Sequence, residues 1–186
     1  MKFNLIVAAC GKSLGIGLNG ELPWRLKSEM KYFAETTTTT KDCDKMNAVI
    51  MGRKTWESIP LKFRPLKNRF NVILSRQADY SLNNEKDMAR LCVSLDEGID
   101  LVKTRTNIET CWIIGGSSIY QEAMNLSDCH RIYLTHIDQE FKCDVFFPSI
   151  DESYRELDEN ESGVTSKLHT ENDVTYRYKV FEKNKV

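Results

Sequence analysis

Residues Phe3–Ala9 read Phe-Asn-Leu-Ile-Val-Ala-Ala, an apolar run broken only by Asn4. A strand with one wet face alternates apolar and polar residues, so a run that is apolar at both parities needs cover on both faces. Such strands sit at the centre of parallel or mixed sheets layered between helices. Three more runs of this kind follow, at Ala48–Met51, Phe70–Leu74 and Cys111–Ile114. Between them the spacing turns helical. Helices are expected from Lys27 to Thr36, from Arg53 up to Ile59-Pro60, from Leu95 to Lys103 with Ser94 as cap, and from the Gly115-Gly116 turn to Met124, where Ser118 and Gln121 fit a capping box. Leu91–Val93 is a short candidate strand, and 77–89 and 138–150 read as loops. From Arg131 the pattern is strand only, at Arg131–Ile137, near Leu157 and Leu168, and over Val174–Glu182. Strands alternating with helices, then strands alone, predict one α/β domain over 1–186 with an antiparallel C-terminal edge.

At 186 residues the chain can bury a core without disulfides or metals, and 41% hydrophobic with 28% charged residues is ordinary for a globular protein. The net charge of −1 gives no nucleic-acid or membrane footprint. The six cysteines contain no C-x-x-C pair, and none of His130, His136 and His169 stands at metal-ligand spacing from a cysteine, so reduced thiols and no metal are expected. The apolar start imitates an export signal, but Leu5–Cys10 is shorter than the roughly 7–15 residues of a signal core. A cytoplasmic chain is expected, on which the sequons at Asn125 and Asn160 are silent.

The stretch 14–33 points to chemistry. Gly15, Gly17 and Gly20 suggest a pliable loop, stiffened at its exit by Pro23-Trp24. In the helix that follows, Leu26, Met30 and Phe33 form an apolar stripe with Glu29 upon it. A carboxylate on an apolar face is costly unless it is paired or protonated. The plain alternative is a surface glutamate beside the stripe.

Three segments resemble phosphate-binding motifs. Gly15-Ile16-Gly17-Leu18-Asn19-Gly20 matches G-x-G-x-x-G by letter, but no strand ends at its first glycine and no helix opens at its last. Gly52-Arg53-Lys54-Thr55 lacks the upstream glycine of a P-loop, yet it sets two cations and a hydroxyl where a strand meets a helix. Ile114-Gly115-Gly116-Ser117-Ser118 has the right context, a buried strand, then glycines, then a helix. A tight turn with no ligand is the alternative there. With Ser75-Arg76 at another strand end, these groups suit a pyrophosphate carrying one further phosphate, as in NADPH.

Taken together, the chain resembles the dihydrofolate reductases, the monofunctional animal type more than the bacterial. The resemblance rests on Gly15-Ile16-Gly17, Asn19-Gly20-Glu21-Leu22-Pro23-Trp24, Glu29 and Phe33, Val49 to Trp56, Arg64 to Arg69, Leu74-Ser75-Arg76, Trp112 to Tyr120, Phe146-Phe147-Pro148 and Tyr178 to Lys183. It implies a three-layer fold, with a central, mostly parallel sheet of eight strands flanked by four helices. It also implies hydride transfer from NADPH to C6 of dihydrofolate with protonation at N5, giving tetrahydrofolate for one-carbon metabolism. Folate analogues (antifolates) would bind the same site, and a monomer is expected.

Site roles follow from the resemblance residue by residue. Glu29 would accept the two-donor edge of the pterin and polarise it, with a water near Leu22 and Trp24 and with support from Thr135. Val7 and Ile114 would present carbonyls to the pterin beside Ala8 and Tyr120, while Met30, Phe33 and Ile59 would line the channel to Arg69, which holds the substrate's tail carboxylate. Ala9, Ile16 and Gly20 would meet the nicotinamide end. Thr55, Gly116, Ser117, Ser118, Ile119 and Tyr120 would surround the pyrophosphate and ribose, with Arg53, Lys54, Ser75 and Arg76 toward the 2′-phosphate. The Gly115–Gly116 bond is expected to be cis. The chain departs from many animal relatives at Met30, at Phe63 and in a shorter loop at Arg25-Leu26, all on the inhibitor-facing side. Two other readings share parts of this pattern, a pyrimidine reductase of riboflavin synthesis and an idle or RNA-binding protein. The first lacks a use for Glu29, Trp24 and Arg69; the second lacks the charge.

Overall fold

The continuous apolar runs form the middle of one sheet. In the computed structural model, which describes residues 1–77, 79–82 and 88–184, β1 (Phe3–Cys10), β3 (Met46–Gly52), β4 (Arg69–Leu74) and β6 (Ile108–Ile113) are the segments expected from those runs, each longer by one to three residues. With β5 (Ala89–Cys92), β7 (Cys129–Ile137), β10 (His169–Glu171) and β11 (Val174–Lys183) they lie in the order β10-β11-β7-β1-β6-β3-β4-β5. From β7 to β5 every neighbouring pair is parallel, whereas β11 runs antiparallel to β7 and β10 antiparallel to β11. The chain begins in the centre, builds outward through β3, β4 and β5, then returns to place β6 and β7 on either side of β1. A sheet wound this way binds ligands outside the carboxyl ends of its strands, where the winding reverses.

Burial on both faces follows the parity of each strand. Leu5, Val7, Ala48, Ile50 and Val72 face one core with Leu95, Ile99 and Val102 of α3 (Leu95–Lys103) and Tyr120, Ala123 and Met124 of α4 (Ser117–Asn125). Ile6, Val49, Met51, Ile73 and Trp112 face the other, under Tyr32 and Phe33 of α1 (Lys27–Thr38) and Trp56 of α2 (Arg53–Ser58). Each such side chain contributes roughly 1.5–3 kcal/mol by leaving water, so the two cores set the three-layer build.

Several expectations need correction. Five α-helices, not four, occur among the described residues; the addition is α5 (Glu159–Ser162), with a capping box between Asp158 and Glu161. Three strands lie off the eight-strand path: β2 (Gly15–Gly17), β8 (Val145–Phe146) and β9 (Tyr154–Leu157). The glycine stretch is therefore partly a strand: β2 pairs with β1 on one side and, through residues expected to be loop, with β8 on the other. Helix α1 runs two residues into the threonines because Thr37 and Thr38 each turn a hydroxyl back, onto the carbonyls of Phe33 and Ala34 at 2.7 Å. Ser118 caps nothing: α4 starts one residue earlier, Gly116 stands at the cap, and no side chain bonds to its first turn. Ser94 does cap α3, accepting from the Glu97 N–H at 3.2 Å. The expected loop over 77–89 falls partly outside the described residues.

Candidate active site

Helix α1 brings one of its two carboxylates indoors, while Glu35 stays exposed. Glu29 is 5% exposed, and the alternative of a surface glutamate is thereby excluded. Its sole hydrogen-bond partner among the described residues is Thr135 of β7, whose Oγ1 donates to Oε1 at 3.4 Å. Thr135 stands opposite Ala8 of β1 and Tyr178 of β11. Tyr178 in turn stacks on Tyr32 at 3.9 Å between ring centres, which closes the wall behind Glu29. Burial pushes the Glu29 carboxyl up to about 7, and the Thr135 bond pulls slightly the other way. No cation pairs with it within salt-bridge distance among the described residues.

In front of Glu29 lies a pocket of about 420 Å³, lined by Leu22, Trp24, Arg25, Leu26, Glu29 and Met30. Trp24 is buried against Phe141, and its indole N–H has no partner among the described residues. Leu22 and Met30 are 47% and 51% exposed and form the rim, so Met30 does not lie on a buried stripe as the spacing suggested. Half-buried Phe33, one turn on, leads toward Arg69. That arginine is 6% exposed, sits 5.8 Å from the Phe33 ring, and donates to Thr37 Oγ1 at 2.7 Å and to the Lys67 carbonyl at 3.1 Å. Burial lowers it to about 10, so it stays a cation at neutral pH. It has no carboxylate partner among the described residues. Glu29 and Thr37, which anchors Arg69, are eight residues apart on α1, about 12 Å of helix axis. Two buried and unmatched charges thus stand along one helix.

The other expected substrate positions surround this line unevenly. Val7 lies in the sheet core, Ala8 is half-buried on the Thr135 side, and Ile114 follows β6, its N–H bonded to the Ile50 carbonyl. Ile59 packs with Trp56, and its carbonyl accepts from Arg64. The Tyr120 hydroxyl is committed to the Ile6 carbonyl at 2.8 Å, which turns its ring toward Phe147 and makes it a strut between α4 and β1.

On the cofactor side, β3 and β6 end next to each other, and the Gly52 N–H donates to the Gly115 carbonyl at 2.8 Å. The Gly115–Gly116 bond is cis. Gly115 has φ of +112°, and a Cβ there would press within 3.1–3.3 Å of the Tyr120 ring, so only glycine suits the turn. Thr55 Oγ1 comes within 3.4 Å of where a Gly116 Cβ would be, so the bare backbone of the turn faces the first turn of α2. Ser117 and Ile119 are half-buried and Ser118 exposed; Ser117 donates its hydroxyl to the Phe146 carbonyl at 2.5 Å. Ala9 is fully buried beside half-buried Ile16, and Gly20 is exposed with φ of +82°. Of the expected phosphate cations, Arg53 is already held by Glu57 at 2.8 Å, whereas exposed Lys54 and Arg76 take part in no ion pair among the described residues. Ser75 is buried and accepts from the Gln77 N–H. Free helix N–H groups, a bare glycine turn and two unmatched cations fit a phosphorylated dinucleotide.

Two supports escaped the sequence reading. Glu171 of β10 accepts the N–H groups of Lys27 and Ser28 at 2.7 and 2.9 Å, and so caps α1 where Leu26, at the cap position, has no acceptor. Thr37 orients Arg69. Both act across more than 30 residues of chain, and no local spacing signals them.

Comparison with known proteins agrees with this geometry. The sequence model of the dihydrofolate reductase family matches residues 3–183. The chain is 43% identical to dihydrofolate reductase of Drosophila melanogaster over 187 aligned positions, covering 99% of each, and 44% identical to that of Rattus norvegicus, covering 95% of each. The solved structure of Schistosoma mansoni dihydrofolate reductase superposes with a TM-score of 0.84 at 35% identity, over 99% of both chains. The chain belongs to the dihydrofolate reductase family.

Proposed function

We propose that the chain reduces 7,8-dihydrofolate to tetrahydrofolate at the expense of NADPH, with Glu29 as the group that holds and polarises the pterin. The observation that carries the reading is the pair of buried, unmatched charges along α1, Glu29 at one end and Arg69 at the other. A ligand that satisfies both presents a donor edge to the carboxylate, an apolar body beside Phe33, and a carboxylate to the guanidinium. Dihydrofolate has that layout. Its pterin offers N3–H and the 2-amino group as a pair of donors, and its glutamate tail ends in carboxylates.

NADPH, when bound, supplies the hydride from its nicotinamide C4 to C6 of the pterin. The turn at Thr55, Gly116, Ser117, Ser118 and Ile119 would hold its pyrophosphate and ribose, with Lys54 and Arg76 on the 2′-phosphate. Ala9, Ile16 and Gly20 would meet its nicotinamide end. Glu29 does two jobs. As a carboxylate it accepts both pterin donors, which the surrounding apolar wall strengthens by excluding water. Its charge also draws electron density toward N5 and so eases protonation there; Leu22 and Trp24 bound the place from which that proton arrives. Thr135 keeps Oε1 in position. Arg69 gives a bidentate fork for the tail carboxylate while Thr37 and the Lys67 carbonyl hold its other donors.

By membership of this family the protein acts as a monomer. Among the described residues no helix is long and apolar enough to cross a membrane, and we infer a cytoplasmic location. A single domain over 1–186 serves both ligands. The test is direct: protein, NADPH and dihydrofolate are mixed and the reduced-nicotinamide absorbance is followed. Steady loss that requires all three components is expected; no loss contradicts the reading.

A further inference from the structure

Two thiols meet behind the β2 strand, and the proposed reaction uses neither. Cys10 ends β1, Cys143 lies 133 residues later just before β8, and their Sγ atoms are 3.7 Å apart. Both are free. They pack against Gly15, where a Cβ would fall 2.5 Å from Cys143 Sγ and 3.2 Å from Cys10 Sγ, so the sulfurs occupy the space a side chain at that position would need. The Cys143 segment already brackets β2: Asp144 N–H donates to the Gly17 carbonyl at 3.0 Å and Phe147 N–H to the Leu14 carbonyl at 2.8 Å. Cys10 is 1% exposed and Cys143 half-buried, so an incoming oxidant meets Cys143 first. A disulfide needs its sulfurs about 2.03–2.05 Å apart, a closure within reach of side-chain rotation when the thiols already touch.

We propose that Cys10 and Cys143 are an oxidative modification site, a dithiol that closes to a disulfide with hydrogen peroxide and fixes β2 between β1 and β8. The steps balance. Cys143 Sγ attacks one peroxide oxygen, the O–O bond breaks, and the departing hydroxide takes the thiol proton to leave as water. The attacked oxygen keeps its own hydrogen, which leaves Cys143 as a sulfenic acid. Cys10 Sγ then attacks the Cys143 sulfur, the S–O bond breaks, and the hydroxyl leaves with the Cys10 proton as a second water. Two electrons pass from the thiols to the peroxide. Burial pushes the Cys143 thiol up to about 11, so the thiolate is scarce at neutral pH and closure quickens as pH rises. The consequence for turnover rests on the proposed function, since β2 carries Ile16 beside Ala9 at the nicotinamide end.

The full-length protein is treated with hydrogen peroxide at pH 7 and pH 9, remaining thiols are blocked, and the digest is read by mass spectrometry. The expected result is a joined peptide containing Cys10 and Cys143, lighter by two hydrogens than its parts, formed faster at pH 9. Turnover should fall in proportion to the joined fraction and return with dithiothreitol, while Cys143→Ser keeps the untreated rate and resists the same dose. No joined peptide at a dose that oxidises exposed Cys43 overturns the site. A joined peptide with unchanged turnover overturns the restraint on β2. Absence of turnover before treatment bears on the proposed function alone, because the peptide is read without it.

Discussion

Thr135 Oγ1 donates to Glu29 Oε1 at 3.4 Å across 106 residues of chain, and this one long bond is all that the described protein offers a carboxylate that is 5% exposed. A single neutral donor does not offset the loss of hydration around a charge. The site is therefore incomplete by itself, and its energetics favour a ligand that brings donors.

Stability should record that cost. A carboxyl raised from 4.5 to about 7 binds more protons folded than unfolded between those values, so its contribution is full below about pH 4.5 and is lost as pH rises through about 7. The loss is roughly 3 kcal/mol at about 1.36 kcal/mol per unit. Urea unfolding of Glu29→Gln between pH 4.5 and 8 should lack this decline, leaving the variant the more stable protein at pH 8. An identical decline in both proteins would place the titration elsewhere.

Arg69 should matter for the tail and not for the ring. Arg69→Leu is expected to raise the dihydrofolate dissociation constant on the order of 10²-fold, about 3 kcal/mol, since it unpairs a buried charge contact. A pteridine without the glutamate should bind the variant as it binds the parent. Titration by fluorescence quenching measures both, and equal losses would remove Arg69 from the tail site.

For the cofactor, Arg76, like Lys54, is an exposed cation in no ion pair among the described residues, whereas Arg53 is held by Glu57. Arg76→Gln should weaken NADPH about tenfold, the value of one charge-assisted hydrogen bond, and leave NADH nearly unchanged. Parallel losses for the two cofactors would take Arg76 off the 2′-phosphate.

The sheet was legible in the sequence because its strands carry apolar residues at both parities, a local signal of cover on both faces. Helix α3 was legible to the residue, since Ser94 and Glu97 form its cap within one turn. Less local structure was not. The stop of α1 differs from the expected one because Thr37 and Thr38 bond back onto Phe33 and Ala34 and Arg69 of β4 also holds Thr37, against a weak helix preference. The pairing of β2 with β8 joins segments about 130 residues apart, and strands of three and two residues have no periodicity to read. The short helix α5 did leave a signal, Asp158 three residues before Glu161, which spacing alone could have found. Glu29 is legible because a charge interrupts an apolar pattern; its partner Thr135 follows from the resemblance, and the stacked Tyr32–Tyr178 pair behind it shows only in the fold.

The most direct test of the role of Glu29 is the pH dependence of hydride transfer in Glu29→Gln, measured in single turnover from the reduced-nicotinamide signal. A loss of ~10²–10⁴-fold is expected at neutral pH, shrinking as the pH falls and the substrate arrives already protonated. A variant whose rate falls by the same factor at every pH would contradict that role.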